Sequence, residues 1–162
     1  TRARLCAGDA DIGKRFEQIR SSVLQQARDP EALKQEVLAM RRKMLDTHTN
    51  TSGRFDIKND SGGIIDVEFI VQYLVLAHAA AHPELTRNSG NLALLKAAAQ
   101  AGLIPLELAE ETRAAYREFR RLQHQSRLQA AAHARVDMEI AEPWAAAVRR
   151  LWEYVFAPIA AC

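Results

Sequence analysis

The hydrophobic positions of this chain recur mostly three and four residues apart, a pattern that predicts a succession of amphipathic helices. Over residues 9–28, Ile12, Phe16, Ile19, Val23 and Leu24 fall at that spacing, with Asp9 and Asp11 near the positive end of the helix. Asp29 and Pro30 break the run and restart it, since proline suits a first helical turn. A second helix is predicted over 31–46, with Leu33, Val37, Met40 and Met44 on one face. Arg41, Arg42 and Lys43 lie near its C-terminal end, where cations are favoured. The stretch THTNTSG, residues 47–53, has no periodicity and reads as a loop.

Residues 54–58 then alternate polar and apolar, as a short half-buried strand does. NDSGG turns the chain, and a third helix begins near Ile64. Its sides are apolar almost all round, with Glu68 and Gln72 forming one narrow polar line, so it belongs in the centre of a bundle. His82 and Pro83 end it. Asn88 and Ser89 are cap candidates for a fourth helix over 90–101, which Gly102 stops. A fifth, over 105–129, starts with Pro105. It carries Tyr116, Phe119 and Leu122 on one side and Arg113, Arg117, Arg120, His124 and Arg127 on the other. The last helix, over 143–156, opens with Pro143 and carries Trp144, Val148, Leu151, Trp152 and Val155. The expected fold is all-α: a single domain over 1–162, built as a bundle of about six helices with a short extended insertion near 54–58.

Composition agrees with this reading: 48% of the 162 residues are hydrophobic, and glycine and proline number only 7 and 5. Asp66, Glu68, Gln72 and His78 interrupt the most apolar run, residues 64–81, so it is too polar for a lipid-facing span. The chain starts at Thr1 without the pattern of a secretory signal and reads as a piece of a longer, soluble protein. Cys6 and Cys162, near opposite ends, make no zinc spacing and suit a reducing cytoplasm. The net charge of +2 is unevenly placed. Lys and Arg number 12 against 8 acids over 1–58, 2 against 7 over 59–112, and 8 against 5 over 113–162.

Two places invite a functional reading. The first is the turn from Lys58 to Glu68. A glycine pair, Gly62 and Gly63, ahead of a helix can bring backbone N–H groups to a phosphate. Asp66 and Glu68 already occupy that positive end, however, and would repel a phosphate without an intervening cation. The alternative is structural, with unusual backbone angles at the glycines and acids satisfying free N–H groups. A buried Glu68 needs a partner, and Arg41, Arg42 and the arginines of the fifth helix are the candidates. The second place is the arginine face of Arg113, Arg117, Arg120 and Arg127. With no interleaved aromatics it is a poor match to a nucleic-acid site and suits a solvated or protein-docking surface better. The five histidines form no metal-ligand spacing, and no Ser or Cys sits in a nucleophile context. No metal site and no complete catalytic apparatus are expected.

The stretch RFDIKNDSGGIIDVEFIVQYLVL closely resembles the Lys-(x)n-Gly-Gly-Ile-x-Asp-Ile-Glu-Phe-Ile-x-Gln signature of the bacterial glutamine synthetase adenylyltransferase family. MRRKML before it, and LTRNSGNLALLKAAAQAGLI and AYREFRRLQHQSRLQ after it, extend the similarity over most of residues 9–130. In that family two nucleotidyltransferase halves are each followed by a helical bundle carrying a version of the signature. Ile65 and Asp66 resemble the copy after the second, adenylylating half, whereas the first usually has Arg and Glu there. Asp60 stands where many members have glycine. The resemblance implies transfer of AMP from ATP to a tyrosine of glutamine synthetase, with ATP and Mg2+ serving the full-length enzyme and no cofactor in the isolated domain. It implies as partners glutamine synthetase, the PII nitrogen-regulatory protein and the enzyme's own nucleotidyltransferase domain. The catalytic Gly-Ser and Asp-x-Asp motif is absent from residues 1–162. Residues Lys58, Gly62, Gly63, Asp66 and Glu68 are then expected to face nucleotide in the catalytic domain, and the arginine face to meet a protein partner.

Overall fold

The computed structural model describes residues 1, 3–87 and 90–157. Asn88, Ser89 and Cys162 lie outside the described residues. Six α-helices run in the order α1 (Ala10–Leu24), α2 (Pro30–Thr47), α3 (Ile64–His78), α4 (Asn91–Gln100), α5 (Leu106–Leu128) and α6 (Met138–Phe156), with a 3-10 turn at Pro83–Thr86. Two short strands, β1 (Phe55–Asp56) and β2 (Arg135–Val136), pair antiparallel, with Phe55 opposite Val136 and Asp56 opposite Arg135. The expected all-α bundle with a short extended insertion is what forms.

Local chemistry explains most boundaries. Asp9 caps α1, its Oδ1 accepting from the amides of Asp11 at 2.8 Å and Ile12 at 3.0 Å. Asp29 does the same for α2, accepting from Glu31 at 2.9 Å and Ala32 at 3.3 Å, with Pro30 in the first turn. α1 stops at Leu24, four residues short of expectation, because the Arg28 guanidinium folds back over its end. It donates to the carbonyls of Val23 at 2.8 Å, Leu24 at 3.1 Å and Gln26 at 2.9 Å, satisfying acceptors that a further turn would have used. α6 starts at Met138 rather than at Pro143, which lies inside the helix. The strand β2, whose pairing is non-local, delivers the chain directly into that earlier start. Ala141, in the added turn, is fully buried.

α3 is the central element and touches α2, α4, α5 and α6. Val67 and Ile70 are fully buried and Val71 and Leu74 nearly so, as an almost entirely apolar helix requires. Two aromatic groups lock the periphery. Tyr73 and Trp152 both lie against Phe156, at ring centroid distances of 5.0 and 4.3 Å. Phe55 of β1 stacks on the fully buried Phe119 of α5, centroids 5.7 Å apart. This second stack holds the strand, and the turn that follows it, beside the C-terminal half of α5. Among the described residues no helix is long and apolar enough to cross a membrane.

Truncating Phe119 to Ala removes the stack and opens a cavity under β1, with an expected loss of about 3–5 kcal/mol in stability. Urea unfolding followed by circular dichroism reads it directly. A loss no larger than that of an exposed substitution such as Leu128→Ala would show that the stack does not hold the turn.

Candidate functional site

The turn between β1 and α3 closes around three carboxylates. Asp56, buried, accepts through Oδ1 from the amides of Lys58 at 3.0 Å and Asn59 at 2.9 Å. Asp60 reaches back, its Oδ2 accepting from the Asp56 amide at 2.8 Å and from Asn50 Nδ2 at 2.7 Å, which ties the preceding loop to the turn. Asp66, in the first turn of α3, accepts through Oδ2 from the Gly62 amide at 2.6 Å and through Oδ1 from Arg41 Nε of α2. The same guanidinium donates through Nη2 to the carbonyls of Asn59 at 2.8 Å and Asp60 at 3.3 Å. One arginine thus clamps the start of α3 and the turn that leads into it. Sequence reading set Arg41 among possible partners for Glu68; the carboxylate it pairs with is Asp66, and Glu68, two positions further along the same helix, is half-buried.

The glycines are there for space. Gly62 has φ +88°, and a Cβ on it would sit 2.6 Å from the Ala145 carbonyl oxygen of α6. A Cβ on Gly63 would lie 2.7 Å from the Ile57 carbonyl oxygen and 2.9 Å from that of Asp60. The amides that a phosphate would need are already used. Gly63 donates to Asp60 O at 2.9 Å, Ile64 to Ile57 O at 2.9 Å, Ile65 to Lys58 O at 3.2 Å, and Asp66 to Gly63 O at 3.2 Å. The expectation that Gly62, Gly63 and Asp66 face nucleotide therefore meets a physical obstacle. All three are buried, with their polar groups committed inside the bundle.

Lys58 differs. Its amide and carbonyl are both pinned by the turn while its side chain stands exposed. It lines a small cleft of about 250 Å³ together with Arg127 of α5, His133, Asp56, Gln123 and Ser126. The stack of Phe55 on Phe119 brings Lys58 and Arg127, 69 positions apart in the chain, to one place. Gln123, Ser126 and His133 escaped sequence reading because their meeting depends on β1–β2 pairing. The cleft lies below the usual size of a pocket for a whole small molecule, yet has room for one anionic group. In the rest of the arginine face, Arg113 is charge-paired with Glu110, Arg120 keeps its charge while donating to the Gln123 amide oxygen at 2.9 Å, and Arg117 is exposed.

No group of three or more His, Cys, Asp or Glu side chains among the described residues is placed to hold a metal ion. Asp56, Asp60 and Asp66 already serve as acceptors for the turn and do not converge on a common point for Mg2+. Burial pushes the Asp66 carboxyl above the ordinary aspartate value, against the pull of the Arg41 charge and hydrogen bond, the Gly62 amide and the Arg149 charge. Ion pairing therefore does not fully offset desolvation, a common balance for buried pairs.

The class of protein follows from comparison of the chain with known families: residues 31–138 match the family model described as GlnD PII-uridylyltransferase. Over 159 residues the chain is 55% identical to the bifunctional glutamine synthetase adenylyltransferase/adenylyl-removing enzyme of Aromatoleum aromaticum, an alignment covering 96% of this chain and 16% of that protein. The enzymes of the same name from Chromobacterium violaceum and Nitrosomonas eutropha are 54% and 49% identical, each over 96% of this chain and over 17% and 18% of their own lengths. The chain belongs to the glutamine synthetase adenylyltransferase family and spans about a sixth of the length of these relatives.

Asp66→Ala leaves the Arg41 guanidinium buried without its carboxylate, so a loss of about 3–5 kcal/mol is expected in urea unfolding. A loss below about 1 kcal/mol would mean the clamp is dispensable. The pH dependence has a defined sign. Because the folded carboxyl titrates above the unfolded one, near about 4, the stability linked to Asp66 is complete below that pH and is lost as pH rises through the raised folded value. Asp66→Asn removes this component. From pH 4 upwards the variant should show a shallower decline in stability than the parent, and parallel curves would contradict the raised value.

Proposed function

We propose that this chain is a helical domain of a glutamine synthetase adenylyltransferase, working in the cytoplasm beside a nucleotidyltransferase domain outside residues 1–162. The parent enzyme transfers AMP from ATP to a tyrosine of glutamine synthetase, with ATP and Mg2+ held in that other domain. Here the helical domain offers one anchored cation, Lys58, to a phosphate of the bound nucleotide, with Arg127 and His133 beside it. The observation carrying this reading is the contrast within the turn. Its aspartates, glycines and amides are consumed by structure, and the lysine is the one cationic side chain of the turn carried outward from a fixed backbone. The cleft's small volume favours a phosphate contact at a domain boundary over a complete nucleotide site. Gly62, Gly63 and Asp66 then act through the position of Lys58, and Glu68 belongs to the same helix start.

In the full-length enzyme, Lys58→Ala should weaken ATP binding about tenfold, equivalent to loss of one charge-assisted hydrogen bond, and slow adenylylation of glutamine synthetase. Arg127→Ala should have a smaller effect in the same direction. ATP affinity by calorimetry and adenylylation rate by incorporation of labelled AMP measure the two. Normal values in a stably folded Lys58→Ala enzyme would end this reading.

A second reading is favoured by the exposed Arg117 on α5. The face of Arg113, Arg117, Arg120 and Arg127 would then dock glutamine synthetase or the PII regulatory protein without contributing to the active site. Salt-sensitive retention of either partner that Arg117→Ala and Arg120→Ala abolish, with ATP affinity unchanged, would select it.

A further inference from the structure

Helix α1 keeps its apolar stripe uncovered among the described residues. Ile12, Phe16, Ile19 and Val23 follow one another at four, three and four positions, so they share one face, and they are 70, 38, 56 and 47% exposed. The helix meets the bundle through the adjoining face instead, where Leu24 is buried and Arg20 donates to the Thr86 carbonyl. A helix of 15 residues is marginal without tertiary packing. Four large apolar side chains left in water do nothing for it in this state.

Two grooves meet along this edge. One, about 280 Å³, is lined by Leu5, Ile12 and Phe16 and is mostly apolar. It adjoins a larger cleft of about 630 Å³ that carries Arg4, Lys14, Arg20 and Arg87, with Glu17 as the acid lining it. The two share Arg4, Leu5 and Gly13. Leu5 lies so close over α1 that a Cβ on Gly13 would fall 2.3 Å from its Cδ2 and push that side chain aside. The side chain of Arg20 is only 9% exposed. Its Nε and Nη2 donate to Glu17, while its Nη1 is buried with no hydrogen-bond partner among the described residues. A buried guanidinium N–H lacking an acceptor is a costly arrangement in isolation and calls for an anionic oxygen.

We propose that this edge docks an acidic segment bearing apolar side chains, supplied by the part of the same enzyme outside residues 1–162. Lys14 is paired with Asp11 at 3.2 Å and Arg20 with Glu17, so the positive surplus rests on Arg4 and Arg87; with the unmatched Arg20 Nη1 it favours negative charge in the occupant, and the uncovered stripe beside it favours apolar residues next to that charge. A second copy of the edge would set the same positive surplus against itself. The relatives are about six times longer than the aligned segment, which covers 16% and 17% of two of them, so most of the polypeptide lies elsewhere. Tethering supplies a high effective concentration, and a stripe too small for a free partner is then enough. Helix α1 also lies outside residues 31–138 of the family match, as a junction element would. The inference rests on the chain being one domain of a longer enzyme, and it is independent of the Lys58 cleft.

The test is zero-length carbodiimide cross-linking of the full-length enzyme, with mass spectrometry of Lys14 peptides. The expected product joins Lys14 to an Asp or Glu outside residues 1–162 in the same molecule. Ile12→Glu/Ile19→Glu should reduce its yield about tenfold or more, as the loss of two buried isoleucines implies. Lys58→Ala should leave it unchanged, which separates failure of this docking from failure of the nucleotide reading. Cross-links only to Asp11 or Glu17 would overturn the proposal. So would mixed-isotope peptides from a blend of 15N-labelled and unlabelled enzyme, since they would assign the surface to a second copy. The wild-type product and the isotope blend require no variant, so a poorly folding substitution does not shield the idea.

Discussion

Arg41 and Asp66 meet inside the bundle, where neither charge has water to fall back on, and the geometry around the pair spreads the consequence over three elements. The guanidinium on α2 holds the Asp66 carboxylate at the head of α3 and also two carbonyls of the preceding turn. Asp66 in turn takes the Gly62 amide. Each group needs the others because a buried charge or carbonyl left unmatched costs more than the pair contributes. The central helix therefore has a fixed starting point, and the four helices packed against it inherit that register.

The same economy accounts for the composition of the turn. Asp56 and Asp60 satisfy its amides, Gly63 fits against the Ile57 and Asp60 carbonyls, and Gly62 adopts a left-handed conformation that lets α6 approach at Ala145. A run of residues that resembles phosphate-binding hardware is thus mostly a device for joining a strand to a buried helix. What it offers to the outside is a rigid mount for Lys58. A lysine on a mobile loop would lose side-chain and backbone entropy on meeting an anion; here the backbone share has already been lost in folding.

Much of the helical framework was legible from residue spacing, because amphipathic period and capping are local properties. Asp9, Asp29 and the all-round apolar character of residues 64–75 each point to what forms. The misjudged boundaries share a cause. Arg28 shortens α1 by bonding its last carbonyls, and β2 starts α6 five residues before Pro143; in both cases a three-dimensional contact outweighs a local punctuation signal. The apolar stripe of α1 is a third instance. Its periodicity predicts a helix correctly but does not say whether the stripe is covered within this domain.

Sequence by itself determined the all-α class, the central position of α3 and, through an ordered signature, the family. These depend on near neighbours along the chain or on a pattern long enough to be distinctive. The tertiary structure alone decided that Asp66 pairs with Arg41, that Gly62 and Gly63 lie buried against α6 and the turn itself, and that Lys58 shares a cleft with Arg127. Those outcomes depend on which of several arginines, carbonyls and faces come within a few ångströms after packing. Helical period and motif order do not encode that proximity; it is set when β1 pairs with β2 and Phe55 seats on Phe119.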